Sequence, residues 1–296
     1  MARLAFLGTP DMAVPPLRAL VEAGHEIVCV ITRPDRRRGR GGAVTPSPVA
    51  QAATELGLPV STEMADVATA GAELAVVVAY GRIIPVALLE QVPMVNLHFS
   101  LLPRWRGAAP VERAILAGDS ETGVCVMAVE EGLDTGAVYA RRTVPITGQT
   151  LAELRVELVD VGAKLLVEAL AGGVAGLPEP EPQEGEVTIA QKISSEDLHL
   201  RWDAEAAALE RVVRLGRAWT TFRGKRLFVV RASVVDPSPD QNDGEVPPGT
   251  LVGTSVQTGA GLLCLETVQP ESKGPMAAED WIRGARPSVS DRLGTE

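Results

Sequence analysis

The sequence predicts an α/β protein in two parts, the first built on a mostly parallel sheet and the second small and antiparallel. Three observations carry this. Valine- and leucine-rich runs alternate with amphipathic stretches and glycine turns up to residue 177, the rhythm of βαβ units. Pro178 to Glu186, with three prolines and four glutamates, breaks that rhythm as an extended linker. Beyond residue 203 the apolar runs are short and separated by Pro, Gly and Asp clusters, which favours a small antiparallel barrel or sandwich. The expected division is 1–177, a linker over 178–203, and 204–296.

Composition bounds the rest. Hydrophobic residues at 46% and charged residues at 22% belong to a folded protein, and aromatics at 3% leave the core to Val, Leu and Ala. A net charge of −10 excludes a generally basic nucleic-acid binder but not a local basic patch. Cys29, Cys125 and Cys264 match no metal spacing and no paired framework. They read as buried small hydrophobes in a reducing compartment. No apolar run approaches the roughly 18 residues of a membrane span, and Leu4 to Leu7 is too short for a signal core. A cytoplasmic protein is expected.

In order, Arg3 to Gly8 reads as a buried strand, Ala13 to Ala23 as a helix ended by Gly24, and Glu26 to Ile31 as a second strand. This opening is Rossmann-like, yet the positions two and five after Gly8 hold Pro10 and Ala13. The dinucleotide fingerprint therefore fails, and no NAD is expected. Arg33 to Arg40 holds five arginines in eight positions, a surface loop suited to phosphate oxygens. Thr45 to Leu56 reads as a helix and Leu58 to Ser61 as a short strand. Leu74 to Ala79 is continuous and valine-rich, as in a central parallel strand. After a short helix at Val86 to Gln91 comes Met94 to His98, then a helix at Ala109 to Ala117 and a strand at Val124 to Val129. Thr150 and Glu153 form a capping box at the head of a long helix. Ala204 to Gly216 is one helix, and residues 204–232 carry seven Arg or Lys against two Glu.

The chemistry centres on the strand ending at His98. Asn96 and His98 are two apart and share one face, at a strand end where open α/β sheets place their sites. His25 at a turn reads as structural, and His199 in the linker as exposed. Ser100 lacks a nucleophile elbow, and no Cys or His set could build a metal shell. What remains is direct transfer of a group between two bound substrates. Asn96 and His98 would stabilise an oxyanion, and a carboxylate from the loop Glu130 to Gly136 would hold the imidazole.

Asn96-Leu97-His98-Phe99-Ser100-Leu101-Leu102-Pro103 with Arg104 to Pro110, and Gly132-Leu133-Asp134-Thr135-Gly136, resemble the signatures of the folate-dependent formyltransferases. Phe6 to Asp11, Arg33 to Arg36, Gly39 to Gly41, Pro46 to Val49, Val78 to Gly81, Pro248 to Thr250 and Val268 to Pro270 resemble the branch that formylates methionyl initiator tRNA. The resemblance covers nearly the whole chain. It implies transfer of a formyl group from 10-formyltetrahydrofolate to the α-amine of that tRNA, with no metal. It implies Asn96, His98 and Asp134 as catalytic residues, and Ser100, Leu101, Leu102, Pro103 and Tyr80 at the folate cleft. It further implies Arg36, Arg38 and Arg40 towards the tRNA, an OB-like C-terminal barrel with a basic face, and a monomer. Phe99 departs from the family's usual Gly or Ala, and residues between Val60 and Leu74 are fewer than in most members. Two rivals remain: a formyltransferase for an amino-sugar nucleotide, and a non-catalytic RNA-binding protein.

Overall fold

The computed structural model describes residues 1–34, 36–38, 43–235, 246–288 and 290–295, and they divide into two compact units. The first comprises Met1–Val111, Glu121–Pro145 and Leu154–Gln191; the second comprises Glu112–Ser120, Ile146–Glu153 and Lys192–Glu296.

The first unit opens with β1 (Arg3–Gly8), α1 (Val14–Glu22) and β2 (Glu26–Ile31), with β1 and β2 parallel. Gly8 makes the turn possible, because a Cβ there would lie 2.8 Å from the Phe6 ring and 2.9 Å from Ala13 Cβ. Within the arginine-rich run, expected as a surface loop, a short ladder forms. Arg36–Arg38 (β3) pairs antiparallel with Ala43–Thr45 (β4), since a backbone ladder needs no apolar side chains. Arg40 lies outside the described residues. The chain continues through α2 (Pro48–Glu55), β5 (Val60–Ser61), α3 (Asp66–Thr69), β6 (Leu74–Val78), α4 (Val86–Leu89) and β7 (Met94–His98). α2 starts three residues later than the sequence suggests. Ser47 caps it, accepting from Ala50 N, and the same hydroxyl meets Thr32 Oγ1 at 2.6 Å.

After β8 (Arg106–Gly107) and α5 (Pro110–Ala117), the antiparallel pair β9 (Glu121–Ala128) and β10 (Val138–Pro145) finishes the sheet. Its order is β10-β9-β7-β6-β1-β2-β5, parallel from β7 to β5. β6 is buried along its whole length, as expected of a central strand. Helix α6 (Leu151–Ala169) begins at the anticipated capping box. Glu153 accepts from Thr150 N and Oγ1 at 2.9 and 2.7 Å. Where α6 passes β7, a Cβ on Gly162 would lie 3.0 Å from Leu97 Cδ2. Leu97 thus faces the helix, and strand alternation turns Asn96 and His98 to the opposite face.

The proline-rich stretch folds onto this unit. Glu181 bridges Val138, and β11 (Ile189–Ala190) pairs parallel with β8.

The second unit holds α7 (Ala206–Arg214), a six-stranded antiparallel sheet and α8 (Ala278–Ala285). The strands are β12 (Trp219–Phe222), β13 (Lys225–Val235), β14 (Leu251–Val252), β15 (Ser255–Gln257), β16 (Leu262–Pro270) and β17 (Met276–Ala277). They run in the order β12-β13-β16-β15-β14, with β17 beside β16. Trp202, Leu209, Phe222, Leu227, Leu263 and Trp281 lie in its core. His199 is not the free surface residue expected of a linker. Its ring stacks on Trp219 at 4.2 Å, which shields both apolar faces. The basic run 204–232 is partly consumed inside the unit. Arg211 donates to Leu116 O, Arg214 to Gln149 O, Arg223 pairs with Asp291, and Arg226 lies over the Trp219 ring.

Candidate active site

β7 places Asn96 and His98 between parallel β6 and antiparallel β9, where Asn96 sits opposite Val77 and Met127, and His98 opposite Cys125. His98 is 5% exposed and Asn96 is half-buried. The chain then turns over Phe99 to Pro103, through a cis Leu102–Pro103 bond. The Ser100 hydroxyl, fully buried, donates to Arg104 O at 2.6 Å and approaches Trp105 O at 3.4 Å.

That turn brings the Trp105 carbonyl to 3.0 Å from His98 Nε2. A carbonyl only accepts, so Nε2 carries a hydrogen and the other nitrogen is left for chemistry. His98 Nδ1 lies 3.6 Å from Asp134 Oδ2. Asp134 stands in the left-handed region at φ 51, in the loop between β9 and β10. The Gly107 amide donates to its Oδ2 at 2.8 Å. At Gly136 a Cβ would lie 2.1 Å from Ala128 O, so only glycine lets the loop close on β9. Trp105, at φ 62, donates its own amide to Thr188 Oγ1 at 2.7 Å.

The structure therefore joins His98 to Asp134, with Asn96 on the same strand face. Of the residues expected at the folate cleft, Leu102 and Pro103 are buried and Leu101 is half-buried, beside the turn at Ser100. Tyr80 is buried too: its ring packs with Leu88, Val92 and Met94, and burial pushes its phenol above the usual range. Arg36 and Arg38 stand in the β3–β4 hairpin. Sequence reasoning missed the Trp105 carbonyl, the Gly107 amide, Thr188 and Gln183. For Gln183 a signal existed, since it is the one amide side chain between Pro178 and Glu186.

Residues 2–170 match the model of the formyl transferase family, and residues 192–286 that of the formyl transferase C-terminal domain. The chain belongs to the formyl transferase family. This formyl transferase is 45% identical over 300 residues to a methionyl-tRNA formyltransferase of Jannaschia sp. (strain CCS1), covering 96% of this chain and 97% of the relative. It is 43% identical to that of Methylococcus capsulatus, covering 99% of this chain and all of the relative. Among solved structures it resembles the N-formyltransferase from Helicobacter canadensis, with TM-score 0.67, 16% identity, and 90% and 99% of the two chains covered. HypX from Aquifex aeolicus in complex with tetrahydrofolic acid gives TM-score 0.66 at 19% identity, over 97% of this chain and 48% of that one. These structures establish the formyl transferase fold. Among the described residues no helix is long and apolar enough to cross a membrane, and no group of three or more His, Cys, Asp or Glu could hold a metal ion.

Proposed function

We propose that the chain transfers the formyl group of 10-formyltetrahydrofolate to the α-amine of methionyl initiator tRNA. The near-full-length likeness to proteins named methionyl-tRNA formyltransferase carries the choice of acceptor, and the gripped His98 supports the chemistry. The amine lone pair attacks the formyl carbon, a C–N bond forms, and the carbonyl pair moves onto oxygen. Asn96 donates its amide hydrogen to that oxyanion as charge develops. When the intermediate collapses, the bond from the formyl carbon to the folate nitrogen breaks, and that nitrogen keeps the pair. The proton lost by the amine must reach it. His98 Nδ1, with Asp134 as counter-charge, is placed to hold the proton in between.

Ser100, Leu101, Leu102, Pro103 and Tyr80 are assigned to the folate side, and Arg36, Arg38 and Arg40 to the phosphates of the tRNA. Action on tRNA implies the cytoplasm, and one chain supplies the whole catalytic set, in keeping with a monomer. The test offers labelled 10-formyltetrahydrofolate with methionyl initiator tRNA, methionyl elongator tRNA and an amino-sugar nucleotide. Label on the initiator tRNA alone is expected. Label on the nucleotide and on neither tRNA overturns the reading.

A further inference from the structure

We infer that Gln183, from the proline-rich stretch, is a positioning residue that holds the two loops gripping His98. The inference rests on the proposed formyl transfer at the same site. His98 is flanked at both nitrogens by residues from two loops: the Trp105 carbonyl lies 3.0 Å from Nε2, and Asp134 Oδ2 lies at an ion-pair distance of 3.6 Å from Nδ1. Neither loop is part of a long ladder there, and each has a non-glycine residue in the left-handed region, Trp105 at φ 62 and Asp134 at φ 51. Such backbones persist only where their surroundings fix them.

Gln183 supplies that fixing. Its amide nitrogen donates to Asp134 O and to Gly136 O, both at 2.8 Å. Its amide oxygen accepts from Arg106 Nε at 3.0 Å and from Arg106 Nη2 at 2.7 Å. A glutamine side chain has two N–H donors and an oxygen with two lone pairs, and all four are used. One donor pair therefore sets the carboxylate loop, while the oxygen holds the residue directly after Trp105. The adjoining segment adds two further ties: Thr188 Oγ1 to the Trp105 amide, and β11 along Arg106 and Gly107. Gln183 acts through Asp134 and Trp105 on the separation of His98 from its counter-charge.

The amide chemistry is specific. Glutamate would keep an acceptor for Arg106, yet would set a carboxylate oxygen against two carbonyl oxygens and lose both donors. Methionine would lose all four bonds at nearly the same volume.

The test combines kinetics with a spectrum that needs no acceptor. Gln183→Met and Gln183→Glu are each expected to lower kcat by about 10- to 100-fold, the scale of a small misplacement of catalytic groups. KM for folate and tRNA should stay within about threefold. In protein labelled with 15N-histidine, the His98 ring signals should move while those of His25 and His199 stay. In an Asp134→Asn background the loss from Gln183→Met should shrink to about twofold or less, because residues acting as one unit are not additive. Unchanged His98 signals, wild-type kcat in Gln183→Glu, or an equal loss in the Asp134→Asn background would each overturn the inference. If the unaltered protein formylates no tRNA, the acceptor assignment fails, and the His98 spectrum still decides the role of Gln183.

Discussion

The Gly107 amide donates to Asp134 Oδ2 at 2.8 Å, and that same oxygen lies 3.6 Å from His98 Nδ1. The first is a full hydrogen bond and the second is an ion-pair distance. The carboxylate is thus oriented by a backbone group that never changes charge. Its charge is directed at the ring nitrogen that the Trp105 carbonyl does not engage.

Replacing that charge without the shape is the direct check. Asp134→Asn keeps an oxygen for the Gly107 amide and removes the counter-charge. Turnover should fall by about 10²- to 10⁴-fold, the range of general acid–base assistance, with tRNA affinity unchanged. Full turnover in single-turnover assays would take Asp134 out of the catalytic set.

Asn96 is asked for a single donor to the oxyanion. Asn96→Ala should cost about 10²- to 10³-fold in kcat, as loss of one such donor does. A rise in KM with unaltered kcat would make Asn96 a substrate-binding group instead.

The arginine hairpin is tested by salt. Converting Arg36, Arg38 and Arg40 together to Ala should weaken tRNA binding and flatten the slope of log affinity against log salt by about two to three phosphate contacts. A slope identical to that of the unaltered protein returns these arginines to a solvated role.

The second unit carries an acid-sensitive tie. Asp197 accepts from Arg113 Nη1 at 2.8 Å and from the Ser194 amide and hydroxyl at 2.8 and 2.7 Å. The Arg113 guanidinium, helped by Ser194, lowers its carboxyl from 3.8 to about 2. Since the folded value is the lower one, the stabilisation is present above pH 3.8 and fades as pH falls towards about 2. Asp197→Asn should lower stability at pH 7 by at most about 2 kcal/mol. In urea titrations the gap between the two proteins should narrow below pH 4; a constant gap contradicts the linkage.

Phe99, directly after His98, is 6% exposed. Its ring belongs to the interior, so Phe99→Ala should cost about 3 to 5 kcal/mol of stability. Denaturant unfolding measures this, and a cost under about 1 kcal/mol would place the ring outside the packed core.

The parts of the site that were legible are those governed by local period. Asn96 and His98 share a face because a strand alternates, and Leu97 meeting α6 at Gly162 is the other half of that alternation. The capping box at Thr150 is equally local. Within the loop Glu130 to Gly136, Asp134 is singled out only by the motif resemblance, because it reaches His98 across the β7–β9 pairing. Gln183 and Thr188 were not readable as site residues. They arrive through β8–β11, a ladder of two residues on each side, too short to leave a pattern. The basic run over residues 204–232 was only partly legible for a related reason: composition does not show that Arg211, Arg214 and Arg223 are already engaged within their own unit. Helix α8 gave little warning, since eight residues containing Gly284 make a weak helical signal.

The docking of residues 181–190 on the first unit bears on how this enzyme can be cut and recombined. The stretch that matches the formyl transferase model, residues 2–170, ends before Gln183 and Thr188. A fragment trimmed at the first proline would keep Asn96, His98 and Asp134 yet lose the groups that hold their loops. A chimera between relatives needs its joint after Gln191, so that each catalytic half travels with its own tail.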